Sequence, residues 1–123
     1  MKILTIKVEE PQRVSKKLLK VLKKAHKGED IPVENVLTFT SVGRMFKTLT
    51  PARWEIIEAL QHREFKSIRE LAQHLKRDYS NVWKDIQILH DLGIVEMEKT
   101  DKGWKVYIPY QKIVVEFPKT ARV

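Results

Sequence analysis

A chain of 123 residues, 42% hydrophobic and 33% charged, is long enough for one folded domain with an appendage and too apolar for a disordered tail. It contains no cysteine, which excludes disulfides, thiolate metal sites and cysteine nucleophiles. The formal charge of +8 favours polyanionic partners, and residues 1–50 carry most of the excess, with eleven Lys/Arg against five Asp/Glu.

Residues 2–8 alternate, with Leu4, Ile6 and Val8 on one side and Thr5 and Lys7 on the other, which predicts a short strand. Pro11 suits the first turn of a following helix, in which Val14, Leu18, Val21, Leu22 and Ala25 fall at helical spacing among lysines. Gly28 is its natural stop. The β-branched run at 33–41 predicts a second strand, and 42–49 a short helix or turn.

Thr50 is placed to cap a helix whose first residue is Pro51, with Trp54, Ile57 and Leu60, and Ile56 beside them, as its apolar stripe. SIRE at 67–70 reads as a capping box, with Ser67 as cap and Glu70 three residues on. Ile68, Leu71, Ala72 and Leu75 continue it as an amphipathic helix. A third helix spans 78–92 and ends at Gly93. IVEMEK and WKVYIPY flank TDKG as a hairpin, and 112–117 adds a last strand. Helix, helix, helix, hairpin is the winged helix-turn-helix order. The expected fold class is therefore α+β: a winged helix-turn-helix over residues 49–123, preceded by a basic strand-helix-strand extension over 1–48 that serves as a dimerisation region.

At 100° per residue, Val82, Ile86 and Leu89 form the core stripe of helix 78–92. Ser80, Lys84 and Gln87 fall on the far side, flanked by Asn81 and Trp83. These side chains can hydrogen-bond base edges or phosphate, and a recognition helix reads DNA mainly through its first turns. Arg77 and Tyr79, where the chain enters the helix, suit phosphate contacts, whereas Asp91 would repel a phosphate. Lys99, Lys102 and Lys105 surround the hairpin turn, where a wing meets the backbone or minor groove.

No catalytic constellation is visible. His26, His62, His74 and His90 are scattered, no glycine-rich phosphate loop exists, and neither an enzyme nor a cofactor or metal is expected. No apolar run approaches the ~18 residues of a membrane-spanning helix, so the expectation is a soluble, cytoplasmic protein with no membrane partner.

The segments LTPARWEIIEAL, SIRELAQHL, RDYSNVWKDIQILHDLGIVE and IPYQKIVVEF, together spanning about residues 45–117, resemble the MarR-like predicted transcriptional regulators of archaea and bacteria, some of them antitoxin-like. The resemblance implies sequence-specific binding of double-stranded DNA, usually as a homodimer. By position it implies DNA contacts at Ser67, at Ser80, Asn81, Trp83 and Lys84, and in the wing. Tyr79 and Trp83 are bulkier than that pattern leads one to expect, and the strand-helix-strand at the N-terminus is not the dimerising helix pair of typical members. One alternative function is an antitoxin that neutralises a partner toxin and autoregulates its operon. Another is an architectural or RNA-binding module.

Overall fold

The structure is a computed structural model that describes residues 2–9 and 35–117. The lysine-rich helix expected after Pro11 lies outside the described residues. The described chain is mixed α and β, with four helices and two sheets. It divides into two compact units, one made of residues 1–48 with 112–123 and the other of residues 49–111.

The first unit is built on a parallel sheet. β1 (Ile3–Val8) lies between β2 (Asn35–Phe39) and β5 (Lys112–Glu116). Its alternation is the expected one, with Leu4 and Ile6 buried on one face. Ile6 stands opposite Leu37 on one neighbour and Val115 on the other. On the opposite face, Lys7 meets Glu116, its register partner, at 3.4 Å. β5 was expected to stay with the 49–123 segment. It instead takes up the second side of β1, where Ile113, Val114 and Val115 supply the β-branched surface that a sheet edge of Ile3, Leu4 and Thr5 can pair with. A short helix, α1 (Val42–Thr48), follows β2 and buries Met45.

The second unit holds α2 (Pro51–His62), α3 (Ile68–Leu75), α4 (Tyr79–Asp91) and a hairpin of β3 (Glu96–Thr100) and β4 (Gly103–Tyr107). Thr50 caps α2 by accepting from the Arg53 N–H, with Pro51 at the first position. The stripe of α2 is rotated from the expected one: Ile56, Ile57 and Ala59 are buried, while Trp54 and Leu60 are only half-buried. Ser67 caps α3, accepting from the Glu70 N–H at 3.1 Å. The Glu70 carboxylate does not close the box on the cap residue; it accepts from the N–H of Lys66 at 3.1 Å and from Arg63 at 2.8 Å. α3 packs on α4 and on β4, and α2 packs on α4. Ile56, Ile68, Leu71, Val82, Ile86, Leu89, Ile94 and Val106 are essentially without solvent exposure, and burying each such side chain contributes roughly 1.5–3 kcal/mol. The core stripe of α4 is the one its wheel predicts.

Two backbone positions set the ends of the helical pair. α3 stops because Lys76 takes a left-handed conformation, φ 55°, and its N–H reaches back to Gln73. α4 stops at Gly93, φ 80°, whose N–H bonds the His90 carbonyl while the Ile94 N–H bonds that of Leu89. Tyr110 then donates to the Gly93 carbonyl at 3.0 Å, and burial, with the Glu96 charge second, pushes its phenol above the usual value.

Candidate nucleic-acid interface

α4 distributes its side chains over three directions, and the expected DNA contacts separate accordingly. The first direction faces α2 and α3. Asp85, 13% exposed, accepts from Arg53 Nε at 3.0 Å and from Arg77 Nη2 at 2.7 Å. Arg77 was expected to contact phosphate. Its guanidinium is instead turned inward onto Asp85, with Nη1 buried and without a hydrogen-bond partner. Arg77 lies two residues before the helix, and its long side chain reaches the Asp85 carboxylate nearly two turns inside it.

The second direction faces the hairpin. Tyr79, Trp83 and Gln87 follow one another at i, i+4 and i+8 along one line of the helix. Gln87 donates through Nε2 to Met97 Sδ on β3 at 3.5 Å. Trp83 is half-buried and packs against Trp104 of β4, ring centroids 6.4 Å apart and tilted by 59°. Behind it, Tyr79 stacks on Trp83, 6.4 Å apart and 25° from parallel. Two cations close this row: the Arg69 guanidinium of α3 sits 4.8 Å over the Tyr79 ring, and the Lys99 ammonium 5.3 Å over the Trp104 ring. Trp83 and Gln87, expected on the outward face, therefore contact the hairpin.

The third direction is outward. It keeps Ser80, Asn81 and Lys84, all exposed, with Asp91 one turn beyond Gln87. Asp78 caps the helix, accepting from the Asn81 N–H at 3.3 Å and from the Ser80 hydroxyl. These bonds, Ser80 first, hold the Asp78 carboxyl below its usual 3.8. Ser67 is half-buried, and its oxygen is committed to the cap of α3.

The hairpin sorts its charges by strand alternation. Glu98 stands opposite Lys105 and Lys99 opposite Trp104, so the two pairs lie on opposite faces. Met97, Lys99, Trp104 and Val106 share the face that carries the aromatic row. Glu96, Glu98, Lys105 and Tyr107 share the other, where Tyr107 donates to Glu96 at 2.8 Å and its phenol is held above the usual value by that bond. Lys105 there lines a cleft of about 370 Å³ with Glu98, Arg63 and Glu64. The three lysines expected to act together are thus split. Lys99 caps the aromatic row, Lys102 is exposed in the turn, and Lys105 lies among carboxylates on the reverse face.

Arg69 and Trp104 belong to this surface although sequence spacing does not single them out. The signal for Trp104 was present in WKVY, where it shares the parity of the buried Val106. For Arg69 there was none, since only the packing of α3 on α4 brings it over Tyr79. Among the described residues, no group of three or more His, Asp or Glu side chains is placed to hold a metal ion, and no helix is long and apolar enough to cross a membrane.

No curated protein matches the sequence. A family model, HVO_A0114, matches residues 48–115, more than half of the chain and the segment that carries α2, α3, α4 and the hairpin. The chain belongs to the HVO_A0114 family.

Proposed function

We propose that the protein is a winged helix-turn-helix regulator of transcription, similar to MarR-like proteins, that binds double-stranded DNA as a homodimer. In this reading α3 and α4 are the helix-turn-helix, α4 enters the major groove, and the β3–β4 hairpin is the wing. The observation that supports it is the division of labour on α4. Asp85 is neutralised by two arginines on the inward side, and the first two turns offer Ser80, Asn81 and Lys84 outward. A hydroxyl, an amide and an ammonium are the groups that read base edges and phosphates; the Asp85 carboxylate is turned away from them, and Ser80, whose hydroxyl donates to the exposed Asp78, offers its oxygen as an acceptor. Lys102 in the hairpin turn supplies a second phosphate contact. Homodimerisation through the 1–48 region would match a two-fold operator.

A genome-wide selection of bound duplexes by purified protein, followed by anisotropy titration of the selected duplex, tests this reading. Binding should fall steeply as salt rises, because counterions are released from the phosphates, and Lys84→Ala should weaken it. A protein that enriches no duplex at low salt, its own promoter region included, overturns the proposal.

A further inference from the structure

We infer that the row Arg69–Tyr79–Trp83–Trp104–Lys99 is a second binding surface, one that stacks the unpaired bases of a single-stranded nucleic acid. Three rings from α4 and β4 form one continuous row, each 6.4 Å from the next. Packing α4 on the hairpin accounts for Trp83, which lies between the other two. It does not account for Tyr79 and Trp104, each of which leaves 36% of its surface in solvent. Exposed rings of this size in a contiguous row are unusual on a surface that meets only water.

Charge selects the partner. The cations at the two ends, Arg69 and Lys99, are both exposed. Strand alternation removes Glu96 and Glu98 to the reverse face of the hairpin. The acidic groups near the row are Asp78, whose carboxylate is engaged by Ser80 and Asn81, and Asp101 in the turn. A single strand carries both flat π faces and phosphates: a base takes the place of the Arg69 or Lys99 side chain over an end ring, and the displaced cation pairs with the adjoining phosphate. A duplex buries its base faces in its own stack, so it cannot use the rings this way. The inference therefore stands apart from the duplex reading, which relies on the outward side chains of α4.

The test is anisotropy titration of the full chain with end-labelled oligothymidylate and oligouridylate of about a dozen nucleotides, long enough for one such surface. Tryptophan emission is followed in the same titrations. Wild type should bind at least one of the two strands with quenching. Tyr79→Ala and Trp104→Ala should each weaken binding about tenfold, the loss of one stacked base, whereas Tyr79→Phe should retain it. Circular dichroism checks the fold of each variant. Should Trp104→Ala fail to fold, the exposed Tyr79 decides. Absence of binding to both strands overturns the inference, as does unchanged affinity in a folded Tyr79→Ala, or an equal loss in Tyr79→Phe. Lys84→Ala supplies the distinction from the duplex reading: loss of duplex binding by that variant, with single-strand binding lost only in the ring variants, separates the two surfaces.

Discussion

Asp85 on α4 is joined to Arg77 by a 2.7 Å ion pair, and the same carboxylate holds Arg53 of α2 at 3.0 Å. One side chain thus ties together α2, the turn before α4, and α4 itself. The three groups are 13–24% exposed, so the contacts are better shielded than a surface salt bridge. Removing the carboxylate leaves the poorly solvated Arg77 guanidinium, whose Nη1 already lacks a hydrogen-bond partner, without its anion. Asp85→Ala should cost about 2–3 kcal/mol, a little below the range for fully buried pairs. For a unit of this size that lowers the melting temperature by about 10 °C or more. Loss of only a degree or two in a thermal scan would show that the triad is not what holds the helices in place.

The two helix ends make opposite predictions from one cause. Lys76 has a positive φ of 55°, a conformation in which a Cβ crowds the following carbonyl. Lys76→Gly relieves that and should stabilise the protein by about 0.5–1 kcal/mol, despite the greater freedom glycine gives the unfolded chain. Gly93 has φ 80°, and no neighbouring atom would meet an added Cβ, so Gly93→Ala should destabilise through backbone strain alone, by about 1 kcal/mol. Urea midpoints at unchanged m-value measure both. Shifts of the same sign in the two variants would contradict the conformational account.

The elements of the second unit were legible because each carries its own punctuation. Thr50 with Pro51, Ser67 with Glu70, and Gly93 mark boundaries chemically, and the wheel of α4 identified Val82, Ile86 and Leu89 without any tertiary information. What periodicity could not assign was the direction of intermediate positions. Trp83 sits beside the core stripe, and only the position of Trp104 decides that it faces the hairpin. Sequence spacing offers Arg77 as a phosphate ligand because its partner, Asp85, lies eight residues on, and only the folded helix brings the two together. The pairing of β5 with β1 joins residues more than a hundred apart, and local pattern carries no information about it.

Acid should loosen the first turn of α4 through Asp78. Its carboxyl is held below the usual 3.8 by the Ser80 hydroxyl first and the Asn81 N–H second. A folded value below the unfolded one means the contribution is fully present above the unfolded value and fades as pH falls through the folded value. Ser80→Ala removes the larger cause, so the Asp78 carboxyl should titrate nearer its ordinary value, as read from its carboxyl carbon shift in an NMR titration. Asp78→Asn should abolish the acid dependence of amide protection at Asn81. An unchanged Asp78 titration in Ser80→Ala would assign the shift to the backbone instead.

Lys102 and Lys105 differ by three residues, and the hairpin register makes them differ in role. Lys105 shares its face with Glu98, its cross-strand partner, beside Arg63 and Glu64, while Lys102 stands in the turn. A phosphate approaching Lys105 meets the Glu98 and Glu64 carboxylates, and one approaching Lys102 meets the exposed turn, where Asp101 is the neighbouring residue. If the hairpin is a wing, the dependence of duplex affinity on salt counts the lysines that reach phosphate, at a slope of about 0.9 per contact. Lys102→Ala should weaken duplex binding at every sequence alike and lower that slope by about one. Lys105→Ala should leave the slope unchanged. Equal loss of slope in both variants would mean that DNA lies against the acidic face, and the division of the hairpin into a contacting and a non-contacting face would be wrong.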